Sequence, residues 1–410
     1  MSTIQTKTRV EESRHTYGGD FLRYGHDIAL HYGFEPIASP KISREDHFLV
    51  RDPKDITKTK IARTFPEGDN RRPRSLFLPE RKAALLRHVQ NGLNGKFELP
   101  LMVHHFTEHY HKEKGPRTSL HLDIIGTSQS VAEAILIKTS IEILKEAGYK
   151  NLGIHVNSVG DRESMNRFSR ELGMYYRRQL GELPAACREL CKSDVFSLLE
   201  CPHDKCSIIR EDAPRALSFL TEKSRQHFKE VLEHLEVFDL PYKISNYLVG
   251  NRALSCEALF EIREITDLSE EILAFGTRYD YFSRKLGLKR EMPGVGIEIS
   301  LPGECAKHIR KLSRPVKPKL YFVHLGFEAK LRGLPVLEEL RQSDIQITHA
   351  LIQEKLSPQL ALAEKSKARH ILIMGHKEAM EGTIIVRDMA SREQDTVPVG
   401  SLVSYLRQVM

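Results

Sequence analysis

Hydrophobic residues recur along this chain in two periods. Between Tyr17 and Tyr32, the residues Phe21, Tyr24, Ile28 and Tyr32 fall at helical spacing, and Gly33 follows as a stop. Phe34 to Ser39 then reads as extended and ends at Pro40. Two longer extended runs, Met102–Tyr110 and Ser119–Gly126, flank the charged segment HKEKGPR, which predicts a hairpin with a basic tip. Val131–Ala147 predicts a helix and Leu152–Val156 a strand, and the loop from Asn157 ends at Asp161, a residue suited to cap the next helix. Residues 165–235 are mostly helical in pattern. Tyr242–Val249, Ala258–Ile262 and Gly294–Leu301 return to extended patterning.

The pattern breaks at SRPVKPK, and 313–318 reads as a linker. Beyond it, strands are predicted at Leu320–Leu325, Ile345–His349, His370–Met374, Thr383–Asp388 and Thr396–Val399. Helices are predicted up to Arg341, over Ser357–Ala368 and over Ser401–Val409, with Gly333 and Pro335 as kink points in the first. Such alternation predicts a small α/β domain with a mostly parallel sheet.

Composition narrows the class. The chain has 410 residues, 40% apolar and 29% charged, which suits a soluble globular protein of two or three domains. Its net charge of +7 permits a polyanionic partner without requiring one. No apolar run approaches the roughly 18 residues of a membrane span. The polar start MSTIQTKTRVEESRH lacks the apolar segment of a signal peptide. Six cysteines are too few for a disulfide scaffold, so the cytoplasm is the expected compartment. Arg71, Arg72 and Arg74 lie in the polar stretch 51–75, where a solvated loop is preferred over a phosphate-contacting patch.

Two clusters carry metal-ligating side chains. Cys187, Cys191, Cys201 and Cys206 form a C-x3-C-x9-C-x4-C pattern, the paired short spacing of a tetrahedral zinc site, with His203 as an alternative ligand. Reduced thiols in a helical insert are the preferred reading. His104, His105, His109 and His111 crowd one strand, and alternation puts the last three on one face. A metal there is conceivable, but polar residues in a relaxed pocket are the simpler account.

Several stretches resemble histidyl-tRNA synthetases. They are LGIHVNSVGDRE at 152–163, REDAPRALSFLTEKSRQHFKEVLEHLEVFDLPYKISNYLV at 210–249, and Arg278-Tyr279-Asp280 followed by Leu286-Gly287. HILIMG at 370–375 and VRDMASREQDTVPVGSLVSYL at 386–406 extend the likeness to the C-terminus. The resemblance implies an α+β class II synthetase core, an antiparallel sheet flanked by helices, with a helical insertion near 165–235 and a C-terminal α/β anticodon-binding domain. On that basis 1–15 is a flexible tail, 16–312 the core, 313–318 the linker and 319–410 the anticodon-binding domain. The unit ending at Pro40 would form a homodimer, and the last domain would meet tRNA.

The resemblance also implies a reaction: histidine joins ATP, with magnesium, and then passes to tRNA. Negative charge spreads over phosphate oxygens in that transition state, so cations must stand at set places. At the family's second-motif arginine this chain has Thr107. Its histidine-specific stretch, Leu-Val-Arg-Gly in the family, reads LVGNRALSCEALFE from Leu248 to Glu261, with Gly250 for the arginine and Leu254 and Ser255 for two tyrosines. The third-motif arginine is Gly303. Losing one charge-assisted hydrogen bond costs roughly 1.5–3 kcal/mol, so three losses together predict a severe loss of rate. The substrate-binding positions implied are Glu80, Ser119, Asp123, Arg278 and Tyr279, but Leu78 and Lys82 replace an arginine and a threonine beside Glu80. Arg252, two residues along an assumed strand from Gly250, is a candidate substitute cation. Lys112, Lys114 and Arg117 on the hairpin are candidates for phosphate.

The expectation is a synthetase-like protein that binds tRNA or regulates, with histidine activation lost or impaired. An active histidine–tRNA ligase with relocated cations is the first alternative. A regulatory subunit of ATP phosphoribosyltransferase, a relative that usually lacks the anticodon-binding domain, is the second.

Overall fold

A computed structural model describes residues 17–50, 78–93, 97–111, 115–252, 254–267, 269–303, 319–353 and 355–410. The expected tail at 1–15, the loop at 51–75 with its three arginines, Lys112, Lys114 and the linker at 313–318 lie outside the described residues.

The first helix, α1 (Tyr17–His31), buries Phe21 and Ile28 of the predicted stripe together with Leu22 and Ala29, while Tyr24 is half-buried and Tyr32, also buried, follows the helix. Gly33 ends the unit at φ +85, in the left-handed region that glycine tolerates. The short β1 (Glu35–Pro36) then joins the sheet edge, parallel to β2 (Leu101–His111). Helices α2 (Arg44–Val50) and α3 (Pro79–Gly92) come between them in sequence. Proline sits at the start of α3, where its missing N–H costs nothing, and Ala83, Ala84, Leu85, Leu86 and Val89 are buried.

Among the described residues the main sheet has eight strands, in the order β1-β2-β3-β8-β7-β6-β4-β5. Its other members are β3 (Gly115–Ile125), β4 (Leu152–Gly160), β5 (Tyr242–Ile244), β6 (Cys256–Ile265), β7 (Glu270–Arg278) and β8 (Gly294–Pro302). The interior pairings are antiparallel, and only the edge pairs β1–β2 and β4–β5 are parallel among the described strands. Three sequence expectations need correction. Strand β4 continues through the predicted loop to Gly160, β5 stops at Ile244 well short of Val249, and β7 had no predicted counterpart. Strand β7 begins with two exposed glutamates, which blurred its apolar signal.

Strand alternation gives this sheet two different faces. Leu120, Leu122, Ile124, Ile297, Ile299, Ala274, Phe260 and Ile262 lie in one core with α1 and with α4 (Val131–Glu146). Every residue of α4 from Val131 to Leu144 is buried, as befits a helix enclosed on all sides. The opposite face carries His105, Thr107, Ser119, His121, Asp123 and Glu298, side by side in register.

The insertion opens with α5 (Arg162–Arg178), capped as predicted by Asp161, whose carboxylate accepts from Ser164 N at 2.9 Å. It continues through α6 (Ala185–Ser193), a 3-10 turn at Val195–Leu198 and α7 (Asp204–Glu211) to α8 (Glu222–Val237). These helices bury a second core around Phe168, Leu172, Tyr176 and Phe196.

The C-terminal sheet has the order β10-β9-β11-β12-β13. Strand β9 (Leu320–His324) is parallel to both β10 (Ile347–His349) and β11 (His370–Met374), whereas β12 (Thr383–Asp388) and β13 (Gln394–Pro398) are antiparallel. The expected mostly parallel sheet is therefore mixed. The crossovers through α9 (Phe327–Gln342) and α10 (Leu356–Ser366) allow parallel neighbours, but the tight turn from Asp388 to Gln394 allows only an antiparallel one. Helix α9 runs continuously through Pro335 and docks on the core. Arg341 Nη2 donates to Glu142 at 2.9 Å, His31 Nε2 is 3.1 Å from the Leu337 carbonyl, and Tyr32 donates its hydroxyl proton to Glu338.

Candidate functional site

The polar face of the main sheet is where the sequence places the chemistry. Its centre is filled by the protein's own groups. Helix α3 sends Lys82 onto the sheet, where Nζ donates to Asp123 Oδ1 at 2.5 Å. The Tyr279 hydroxyl donates to the same oxygen at 2.8 Å. Lys82, Asp123 and Tyr279 are 1%, 0% and 0% exposed, so this cluster is closed to solvent. Burial drives the Lys82 ammonium below the ordinary lysine range, and the Asp123 carboxylate opposes that shift.

Glycine makes room for the pair. Gly296 of β8 lies directly across from Asp123, and a Cβ there would stand 2.1 Å from Asp123 Oδ1 and 2.9 Å from Lys82 Nζ. An alanine at that position would push the ion pair apart.

Next along the sheet, the rings of His105 and His121 stack at 4.6 Å between centroids and 11° between planes. His121 Nε2 lies 2.9 Å from Thr107 Oγ1, and its Nδ1 lies 3.7 Å from Glu298 Oε2. Burial holds both imidazoles well below pH 6.5, and the cations Lys82 and Arg81 reinforce the shift. They are neutral rings in an enclosed site. His104 points to the other face, where its Nε2 meets His26 Nδ1 at 3.0 Å. No metal-sized grouping of histidines appears among the described residues, since His105 and His109 are separated along the strand by Thr107.

The family-derived positions fare unevenly. Ser119 is buried, with Oγ 3.5 Å from His109 Nδ1. Glu80 does not join the buried cluster. It is partly exposed in the first turn of α3, 3.8 Å from His47. Arg278 does not face this site. Its five donors reach Glu133 Oε1 and Oε2, the carbonyls of Thr127 and Gln129, and Asp280 Oδ1, at 2.6–3.1 Å. Burial would raise the Glu133 carboxyl, but Arg278 and His227 hold it down to about 2. Arg278 is thus a structural clamp between β7 and the start of α4 rather than a substrate contact.

The candidate cations also need correction. Arg117 is buried, with Nε 3.1 Å from Ser300 Oγ and Nη2 2.5 Å from the Ser300 carbonyl, so it ties β3 to β8 instead of projecting from the hairpin tip. Arg252 lies in a turn, not a strand, and its guanidinium sits 5.8 Å from the Phe196 ring centre. The two-residue strand period therefore does not apply to it. Gly250 adopts φ +64, and a Cβ there would meet Leu259 at 2.4 Å and Ser255 at 2.6 Å. Gly303 pairs its N–H with the Pro116 carbonyl at 3.0 Å at φ +131, again a glycine conformation.

Sequence reading missed the role of Lys82, though it noted the residue. It also missed Glu298 and Arg81. The available signal was a lysine on α3 together with an acidic residue on β3.

Of the four cysteines in the insertion, Cys187, Cys201 and Cys206 converge, with their sulfurs all within 4.8 Å of one another. Cys191 does not join that group and is only partly buried.

A family model described as "Anticodon binding domain" matches residues 323–409. The histidine–tRNA ligase of Symbiobacterium thermophilum is 26% identical over 397 residues, covering 93% of this chain and 91% of that protein. That of Geobacillus thermodenitrificans is 26% identical over 395 residues, covering 93% and 92%. Among solved structures, the apo histidyl-tRNA synthetase of S. aureus is similar at 19% identity with a TM-score of 0.49, covering 93% of each chain. By sequence the chain is similar to histidine–tRNA ligases over nearly its whole length, and its C-terminal part matches the anticodon-binding domain.

Proposed function

We propose that this protein binds tRNA or regulates through the synthetase scaffold, and that it does not activate histidine. The observation that carries the proposal is the buried Lys82–Asp123–Tyr279 cluster. In the family reading, Asp123 belongs to the amino-acid pocket. Here its carboxylate already holds an ammonium from its own chain. A free histidine would have to displace that ion pair, and stranding either partner in a dry site is costly.

The residues present do not fit ATP. The three positions that carry arginine in the family hold Thr107, Gly250 and Gly303. Arg117 and Lys82 are committed to Ser300 and Asp123. The C-terminal domain supports a tRNA partner, because the match to an anticodon binding domain spans nearly all of it. A homodimer built on α1 and β1, and a cytoplasmic location, complete the reading. The same domain weighs against a phosphoribosyltransferase regulatory subunit, and stable co-purification with that enzyme would revive it.

Two binding measurements on the full chain test the proposal. Calorimetric titration with histidine is expected to give no saturable heat, whereas filter binding with bulk tRNA is expected to show salt-sensitive retention. Saturable histidine binding would return the active-ligase alternative. No retention of tRNA at low salt would remove the RNA partner.

A further inference from the structure

The insertion gathers three thiols that the sheet chemistry does not use. Cys187 lies on α6, Cys201 follows the 3-10 turn and Cys206 lies on α7. All three are buried, at 1%, 1% and 0% exposure, and none is in a disulfide. The sulfurs of Cys187 and Cys201 are 3.5 Å apart, and the three together fall within 4.8 Å. Thiolates bound tetrahedrally to zinc at about 2.3 Å stand roughly 3.8 Å from one another, which lies between those two distances.

We propose that Cys187, Cys201 and Cys206 bind a zinc ion that staples the helical insertion. This rests on geometry in the insertion and is independent of the reading of the sheet site. In this proposal Cys191 takes the fourth corner: it lies one helical turn beyond Cys187 on α6 and packs against the same core, although its sulfur stands outside the group of three in this structure. Residues four apart on a helix share a face. Two neighbours suit a charged cluster. Tyr176 is fully buried, its hydroxyl has no hydrogen-bond partner among the described residues, and it lies within electrostatic reach of Cys206 and Cys201. Arg210 donates to the carbonyls of Leu199 at 3.1 Å and Cys201 at 3.5 Å, bringing positive charge beside thiolates that outnumber the charge of the ion. A tyrosine donor and an arginine are the kind of outer partners that orient thiolate ligands. In such a small helical insert, the ion would tie α6, the segment at Cys201 and α7 together.

The test is metal content and cobalt spectroscopy on the full chain, purified under reducing conditions. Elemental analysis is expected to give about one zinc per chain, the capacity of a single four-coordinate site. Replacement by cobalt is expected to give a sulfur-to-cobalt charge-transfer band and intense visible bands of tetrahedral geometry. Cys201→Ser is expected to lose the zinc and the bands. Should that variant fail to fold, Cys191→Ser keeps the test decisive, because its cobalt spectrum is expected to show one thiolate fewer. Absence of zinc together with no cobalt band in the wild-type chain would overturn the proposal. So would a Cys187–Cys201 disulfide, read as two titratable thiols fewer in the natively purified chain.

Discussion

Lys82 and Asp123 form a solvent-free ion pair on the polar face of the main sheet, with Nζ 2.5 Å from Oδ1. The Tyr279 hydroxyl bonds the same oxygen, and Gly296 leaves the space that the pair occupies. Replacing Lys82 by methionine strands a buried carboxylate. Lys82→Met is expected to lower unfolding stability by about 3–5 kcal/mol in denaturant titrations. The double variant Lys82→Met with Asp123→Asn is expected to recover most of that loss, since no charge then remains. A double variant no more stable than Lys82→Met would show that the pair is not the source of the effect.

Restoring a family arginine is not a simple reversal. At Gly250 the backbone is left-handed, and Leu259 and Ser255 fill the space a side chain needs. Gly250→Arg is expected to destabilise the fold by about 2–4 kcal/mol, combining left-handed strain with overpacking. It is expected to bring no gain in histidine activation. A stable Gly250→Arg chain with new activity would mean that this turn rearranges readily.

Arg278 and Glu133 make an acid-sensitive clamp. The folded Glu133 carboxyl lies at about 2, below its ordinary 4.5, because Arg278 and His227 outweigh the cost of burial. A depressed carboxyl stabilises the fold above about pH 4.5, and its contribution is lost as pH falls through about 2. His227 is raised despite burial, by the same carboxylate, so its share is present at acid pH and fades as pH rises through its folded value. Glu133→Gln is expected to cost roughly 3 kcal/mol at pH 7. The gap between variant and wild type should narrow below pH 4.5 in pH-dependent unfolding. A gap independent of pH would remove the linkage to Glu133.

Much of this fold was legible in the sequence because its main signals are local. The stripe of Phe21 and Ile28, the hairpin of β2 and β3, the Asp161 cap and the strand–helix alternation after Leu320 all depend on near neighbours. The site was less legible because its contacts are long-range. Lys82 and Asp123 are 41 residues apart, and Arg117 and Ser300 are 183 apart. Period-two reasoning correctly placed His105 and His109 on one face, yet it misled for Arg252, which lies in a turn. Motif matching located Arg278 and Glu80 but not their orientation, and the partners that turn Arg278 away from the site come from α4 and the loop before it.

On the proposal above, a synthetase-like scaffold remains while histidine activation does not. Histidine-dependent exchange of labelled pyrophosphate into ATP, catalysed by the purified full chain, reads that step alone. No exchange above the no-enzyme background is expected while circular dichroism shows the chain folded. Exchange that rises with histidine concentration and saturates would contradict it.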